Sequence, residues 1–184
     1  MRKFKIDIYA DGANEKDMFL MNKNKLISGM TTNPSLMKKS GIKDYKKFAK
    51  KILKKIKRKP ISFEVFADKF DEMEKQAYEI NSWGKNVFVK IPITNSKGKS
   101  SKNLIKKLIN KKIKLNITAI MTVSQIKHLM SLNFKSECIL SIFCGRIADS
   151  GVDPKITIKP VMFEVFNSNP IPKSQNICLI SLKI

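Results

Sequence analysis

Hydrophobic and polar positions follow two alternating patterns along residues 5–145 of the chain. Short apolar runs rich in Ile, Val and Phe are each followed by a segment whose apolar residues recur every three or four positions. The first pattern predicts a buried β-strand and the second an amphipathic helix. The alternation occurs six times, which indicates βα units around a parallel sheet. The sequence therefore predicts the α/β class.

The ends of the apolar runs, together with prolines, glycines and capping residues, set the predicted bounds of these elements. Strands are predicted over Lys5–Ala10, Leu26–Met30, Ile61–Ala67, Asn86–Ile91, Ile113–Met121 and Cys138–Gly145. Helices are predicted over Asn14–Met21, Asp44–Ile56, Lys102–Asn110, from Phe70 to a stop by Gly84, and from Thr122 through Met130. Thr122 followed by Gln125 forms a capping box that opens the last of these helices.

The pattern dissolves after about Asp153. Prolines stand at positions 160, 170 and 172, the alternation is weak, and no long amphipathic helix is predicted. We expect one domain of βα units over residues 1–153 and an atypical tail over 154–184, the product of truncation or a frame shift. Within this tail Ile156–Ile158 and Ile177–Ile180 are predicted to pair as makeshift strands.

A formal net charge of +22 modifies this picture, because a strongly basic chain suggests a nucleic-acid or membrane-surface partner. Only three of the 37 basic residues are arginines, however, namely Arg2, Arg58 and Arg146. Proteins that read phosphates or bases make heavy use of arginine forks and stacked aromatic rings. We therefore expect a lysine-rich solvated surface rather than a nucleic-acid interface.

Other features point to a soluble cytoplasmic protein. The longest apolar runs are far shorter than the roughly 20 residues of a membrane helix, and no signal-like stretch opens the chain. Cys138, Cys144 and Cys178 are widely spaced and form no CxxC pair, so neither a disulfide framework nor a zinc site is predicted. His128 is the only histidine and falls on a helix, which leaves no Ser-His-Asp or Cys-His arrangement.

Candidate chemistry lies at the ends of the predicted strands. Side chains two positions apart share a face of a strand, so Lys90 lies on one face with Phe88 while its apolar neighbours face the other way. A lysine in an apolar strand end suits a Schiff-base amine, although it is also one of many lysines here. Similar parity groups Ser62 with Glu64, Asn116 with Thr118, and Ser141 with Phe143. Each of these polar groups is, taken alone, as compatible with a satisfied core residue.

These residues lie in motifs that resemble the transaldolase family, in particular its small-subunit branch that includes fructose-6-phosphate aldolase. The similar segments are YADGAN, SGMTTNPSL, SFEV, NVFVKIP, and NITAI followed by SIFCGRIAD, and they span about Met1 to Asp153. The resemblance implies a TIM-type (β/α)8 barrel, incomplete here with about six recognisable βα units. It also implies sugar-phosphate substrates, no metal and no organic cofactor, and leaves open a homo-oligomer.

The resemblance assigns roles to the strand-end residues. Lys90 matches the Schiff-base lysine, Asp11 the proton-transfer group, and Glu64 with Thr118 the pair that positions the reactive water. Substrate-binding positions match Thr32, Asn33, Asn116, Ser141, Phe143 and Arg146, of which Arg146 corresponds to a phosphate ligand. We expect the catalytic and hydroxyl-binding groups to converge at the carboxyl ends of consecutive strands around one cavity.

Two positions favour a transferase over an aldolase. The aldolase branch carries glutamine on the third strand and tyrosine in the sixth-strand motif, where this chain has Glu64 and Phe143. We therefore predict a transaldolase that moves a dihydroxyacetone unit between sugar phosphates. The alternatives are an aldolase that uses free dihydroxyacetone, and an inactive or lysine-rich nucleic-acid-binding protein on the same scaffold.

Overall fold

The computed structural model describes residues 7–134 and 136–160, and the chain divides into two compact units, Met1–Lys90 and Ile91–Ile184. The strands of the first unit are β1 (Ile8–Asp11), β2 (Ile27–Thr31), β3 (Ile61–Glu64) and the first four residues of β4 (Val87–Pro92). Its helices are α1 (Glu15–Lys23), α2 (Pro34–Lys39), α3 (Tyr45–Lys55) and α4 (Phe70–Asn81). In this unit β1 and β3 are each followed by one helix and β2 by two.

The second unit begins with the last two residues of β4 and continues the alternation. Its further elements are α5 (Lys102–Asn110), β5 (Leu115–Ile120), α6 (Val123–Met130), β6 (Cys138–Ile142) and α7 (Cys144–Asp149). Residues 155–160 are also helical.

The strands pair in parallel and follow chain order in the sheet. In the first unit β1 pairs with β2, β2 with β3, and β3 with β4, and this last register sets Glu64 opposite Lys90. In the second unit β5 pairs with β6, and the Ile93 amide donates to the Thr118 carbonyl at 2.8 Å. Parallel pairing fixes one consequence for function: the carboxyl ends of paired strands lie at the same edge.

Sequence-encoded caps and apolar faces fix the helices. Helix α3 begins where the Asp44 carboxylate accepts the Lys47 amide, and it buries Phe48, Ala49, Ile52 and Leu53 on one face while its lysines stay exposed. Helix α6 begins at the predicted capping box of Thr122 and Gln125. The fully buried side chains of the first unit include Met30, Ile52, Ile61, Phe63 and Met73, and those of the second Ile105, Leu108, Leu115, Ile117 and Ile120.

Several sequence predictions differ from the structure, and among them helix α7 was not predicted, since Cys144 and Gly145 were assigned to the sixth strand. Helix α2 was not predicted, although Asn33 caps it and Pro34 occupies its first turn. Strands β3 and β6 end at Glu64 and Ile142, earlier than predicted, because the chain turns toward the following helix at each strand end. The predicted makeshift strand over Ile156–Ile158 is wrong, since these residues lie within a helical turn that begins after Pro154, a residue suited to helix starts. The companion segment Ile177–Ile180 lies outside the described residues.

The six βα units establish the fold class. Each strand is followed by at least one helix, from β1 with α1 to β6 with α7. The described residues thus hold six of the eight units of a TIM-type (β/α)8 barrel, as the sequence predicts. The proposed boundary at Asp153 stays a prediction.

Candidate active site

The chemical centre of the first unit is a buried ion pair at adjacent strand ends. Lys90 Nζ lies 3.3 Å from Glu64 Oε2, and the two side chains are 9% and 19% exposed. Their strands pair directly at these residues, so the pair follows from the register of β3 and β4. Burial of a lysine and a carboxylate is costly in the absence of a partner, and each supplies the other with one.

Burial raises the pKa of the Glu64 carboxyl above its ordinary value of 4.5. The positive charge of Lys90 and its hydrogen bond to the carboxylate act in the opposite direction, and the negative charge of Asp11 raises the pKa further. Desolvation disfavours the charged carboxylate, and this is the largest of the effects. Glu64 is therefore disposed to hold a proton at a higher pH than a surface glutamate.

Asp11 stands at the end of β1 and is exposed. The Thr31 hydroxyl at the end of β2 donates to Asp11 Oδ1 at 2.8 Å, which orients the carboxylate. The register of β1 and β2 sets these two residues opposite each other. Thr31 was not among the predicted site residues, but its place in the TTNPS motif beside Thr32 and Asn33 was a usable signal.

Two predicted substrate-binding residues follow β2. Thr32 is completely buried, and its Oγ1 has no hydrogen-bond partner among the described residues. Asn33 accepts the Leu36 amide through Oδ1 at 2.9 Å and so caps α2. A buried hydroxyl without a partner is unusual in a folded protein, and it is available to a ligand that reaches it.

The second unit presents neutral polar groups on its strands. Asn116 and Thr118 on β5 are buried, and Ser141 on β6 donates its hydroxyl to Asn116 Oδ1 at 2.7 Å. Thr118 Oγ1 has no hydrogen-bond partner within the part of the chain that the structure describes. Asn116 and Ser141, both predicted as substrate-binding residues, thus contact each other on neighbouring strands.

The backbone directly after Thr118 adopts an uncommon conformation. Ala119 has a φ of 60°, in the left-handed region, and the register of β5 with β6 shifts between Ile117 and Ile120. Such bulges cost conformational energy in residues with a Cβ, and they are frequent next to functional sites. The bulge lies between the Thr118 carbonyl, which accepts the Ile93 amide, and the Ile120 carbonyl, which accepts the Phe143 amide.

The last two predicted residues lie at the start of α7. Phe143 is the N-cap position of this helix, and Arg146 lies within it, exposed, with its guanidinium 3.9 Å from the Asp149 carboxylate. The guanidinium is therefore accessible to an anion and only weakly held by its neighbour.

The structure brings the predicted residues together in two groups. Lys90, Glu64 and Asp11 interact in the first unit, and Asn116 with Ser141 in the second. Convergence of all of them around one cavity stays a prediction. Tyr45 was missed as a site residue, since the sequence placed it only on the apolar face of a helix; its hydroxyl donates to the Glu64 carbonyl at 3.0 Å.

No group of three or more His, Cys, Asp or Glu residues within residues 7–134 and 136–160 is arranged to hold a metal ion. Across the same residues, none of the helices has both the length and the apolar character that a bilayer crossing requires.

Parallel βα units with a buried lysine at a strand end place the chain in the class of TIM-type barrel proteins. The model of the Transaldolase/Fructose-6-phosphate aldolase family matches residues 8–176. The chain belongs to this family. The match continues past Asp153, where the sequence motifs end.

Individual relatives agree with the family assignment. The chain is 34% identical over 155 residues to a protein named "Probable transaldolase" from Dehalococcoides mccartyi, which covers 84% of this chain and 68% of the relative. Proteins of the same name from Streptococcus equi subsp. zooepidemicus and Methanococcus maripaludis are 38% and 36% identical, over 79% and 87% of this chain. The chain spans 64% and 70% of the lengths of these two relatives.

Proposed function

We propose that the protein is a transaldolase-type transferase, which moves a dihydroxyacetone unit between sugar phosphates through a Schiff base on Lys90. The observation that carries this proposal is the buried pair of Lys90 and Glu64 at 3.3 Å. A covalent imine requires an amine and an adjacent group that exchanges protons with it, and this pair supplies both. Membership of the family supports the same chemistry.

Imine formation begins when the neutral Lys90 amine attacks the C2 ketone of a ketose phosphate. The resulting carbinolamine loses its hydroxyl as water after a proton arrives from Glu64, whose raised pKa favours the protonated form. The product is an iminium and a Glu64 carboxylate. Thr118, with its unpartnered hydroxyl, is proposed to bind the water that leaves and later returns.

Carbon–carbon bond cleavage uses Asp11. Its carboxylate takes the C4 hydroxyl proton, the C3–C4 bonding electrons move into the iminium, and an aldose phosphate leaves while an enamine stays on Lys90. The enamine carbon then attacks the carbonyl of an acceptor aldehyde, and Asp11 returns its proton to the new hydroxyl. Water finally hydrolyses the iminium and releases the product from Lys90. The hydrogen bond from Thr31 supports this role because it orients Asp11.

The remaining residues are proposed to bind substrate. Thr32, Asn33, Asn116 and Ser141 offer hydroxyl and amide groups for the dihydroxyacetone unit, Phe143 lines the site, and the exposed Arg146 offers a guanidinium for the phosphate. This chemistry calls for neither a metal nor an organic cofactor. A cytoplasmic location stays a prediction, and a homo-oligomer stays open.

Borohydride trapping tests the proposal directly. Incubation with fructose 6-phosphate and borohydride should attach one reduced substrate fragment to the peptide that contains Lys90, detected by mass spectrometry. The Lys90→Met variant should form no adduct. Lys114→Met is the matched control, since Lys114 also pairs with a glutamate, Glu137 at 3.1 Å, but on an exposed surface. An adduct on Lys90→Met would assign the nucleophile elsewhere.

Product analysis separates the transferase from the aldolase alternative. With fructose 6-phosphate and erythrose 4-phosphate, a transferase yields a seven-carbon ketose phosphate, whereas an aldolase releases free dihydroxyacetone. Salt-sensitive DNA binding in the absence of trapping would instead favour the basic binding protein.

A further inference from the structure

The hydrogen-bond ladder between β2 and β3 ends at a proline. The carbonyls of Pro60 and Ser62 accept the amides of Met30 and Thr32 at 2.9 and 3.1 Å. The next carbonyl in this alternation belongs to Glu64, and the next donor position is residue 34. Pro34 has no amide hydrogen, so the ladder has no backbone donor for Glu64 at this position.

The Tyr45 hydroxyl occupies the place of the missing donor. It donates to the Glu64 carbonyl at 3.0 Å from the first residue of α3. One residue after the end of β3, the Val65 amide donates to the Lys90 carbonyl at 3.2 Å. The end of β3 is therefore attached on one side to β4 and on the other side to a single side chain.

The tyrosine ring itself is held by aromatic neighbours. Its centroid lies 4.4 Å from that of Phe66, 5.1 Å from that of Trp83 and 6.0 Å from that of Phe63, all in edge-to-face geometry. Phe63 and Trp83 also contact each other at 5.7 Å. Such pairs restrict the ring beyond what burial alone provides, so the hydroxyl has a defined position. Burial and the nearby charge of Glu64 raise the pKa of Tyr45, which keeps the hydroxyl a donor.

We propose that Tyr45 is a positioning residue, which replaces the backbone donor absent at Pro34 and thereby sets the Glu64 carboxyl against Lys90. The expected effect on catalysis rests on the proposed function, whereas the effect of Tyr45 on the backbone at Glu64 does not. Tyr45 acts through the backbone of Glu64 and does not touch the reacting atoms.

A double-mutant cycle tests the proposal. The rate of borohydride-trapped adduct formation at saturating fructose 6-phosphate is measured for the wild type, Tyr45→Phe, Glu64→Gln and the double variant. Because misplacement of a catalytic group is costly, we expect Tyr45→Phe to lower this rate about tenfold in the wild-type background, with the half-saturating concentration unchanged. In the Glu64→Gln background the same change should cost less than about twofold, because coupled residues are not additive.

Tyr78→Phe is the matched control, since its hydroxyl donates to the Glu74 carboxylate on the exposed face of α4 and its loss should leave the rate unchanged. Equal losses from Tyr45→Phe in both backgrounds, or no loss in either, would overturn the positioning role.

A second measurement is independent of catalysis. We expect the Val65 amide to exchange with deuterium faster in Tyr45→Phe, while the amide of Ile126 on α6 stays unchanged. If the wild type forms no adduct, the proposed function fails, and the Val65 amide then decides the role of Tyr45 alone. Unchanged exchange at Val65 would contradict it.

Discussion

The two units carry different kinds of polar group at their strand ends. In the first unit these groups are ionisable: Lys90 pairs with Glu64, and the nearby Asp11 acts on the Glu64 carboxyl. In the second unit Asn116, Thr118 and Ser141 are neutral and interact through amide and hydroxyl groups. The proposed roles of proton exchange and hydroxyl recognition therefore fall on separate strands, so a mutation can perturb one and spare the other.

Loss of one partner from the charged group should have the largest effect. Glu64→Leu leaves Lys90 buried without a counter-charge, and we expect the free energy of unfolding to fall by about 3 kcal/mol. Denaturant titration measures this change. Glu79→Leu is the control, because its partner Lys46 lies on the surface with half of its side chain exposed and the pair contributes little. The double variant Glu64→Leu with Lys90→Met should regain most of the loss, and failure to do so would mean that the charge of Lys90 is not the cause.

The titration of Glu64 should also appear in the stability of the protein. Its pKa in the folded state lies above the ordinary value of 4.5, so above that pH the folded protein keeps a proton that the unfolded chain has lost. Glu64 therefore contributes a loss of stability as the pH rises from about 4.5 to its folded-state pKa, with a slope of at most about 1.4 kcal/mol per pH unit.

The measurement is the difference in unfolding free energy between the wild type and Glu64→Gln across pH 4.5 to 8. The difference should shift in favour of the variant as the pH rises. A constant difference would show that burial does not perturb this carboxyl.

Thr118→Val tests the neutral group. The change keeps the shape of the side chain and removes a buried hydroxyl that has no partner in the described residues, so we expect unfolding to cost about 1 kcal/mol more. Adduct trapping on Lys90 should slow in the same variant if Thr118 binds the reactive water. Ser141→Ala is the contrasting change, since it removes a bond of 2.7 Å to Asn116 and should destabilise the fold. A Thr118→Val variant less stable than the wild type would indicate a partner for the hydroxyl.

Ala119→Gly should produce the smallest effect. Glycine tolerates the φ of 60° that strains alanine, but it loses more backbone entropy on folding. We expect a net stabilisation of about 0.5 kcal/mol from these opposed contributions, measured by thermal unfolding. Ala148→Gly in the last turn of α7 provides the contrast, because a residue in helical conformation has no such strain and glycine should destabilise it. Destabilisation by Ala119→Gly would mean that entropy outweighs the strain at the bulge.

Sequence periodicity predicted the regular elements well where packing and local preference agree. Helix α5 has its predicted bounds, Lys102–Asn110, because its apolar positions face the core and its lysines face water. Helix α2 was missed because it has only six residues and too little periodicity, although the Asn-Pro start was readable. Ile156–Ile158, which lie within the helical residues 155–160, were predicted as a strand because three residues cannot distinguish the two periods.

The candidate site was predictable only in part. Strand parity placed Lys90 and Glu64 on pleats that the register of β3 and β4 brings together, but parity does not specify which strands pair or at what offset. The role of Tyr45 depends on a gap in a hydrogen-bond ladder, which exists only once the register is known. Such features belong to tertiary structure and leave no periodic signal in the sequence.

The cap of α2 limits the hydrogen-bonding groups that the Asn33 side chain offers in its proposed role of binding substrate. Its Oδ1 accepts the Leu36 amide, and this leaves the two hydrogens of its amide nitrogen available to donate to a ligand. In the proposed complex, a substrate hydroxyl at this position accepts a hydrogen bond with its oxygen, which leaves its own hydrogen free to donate elsewhere. In the proposed substrate-binding role of Asn33, the start of α2 therefore favours ligands with an oxygen that accepts a hydrogen bond at that position.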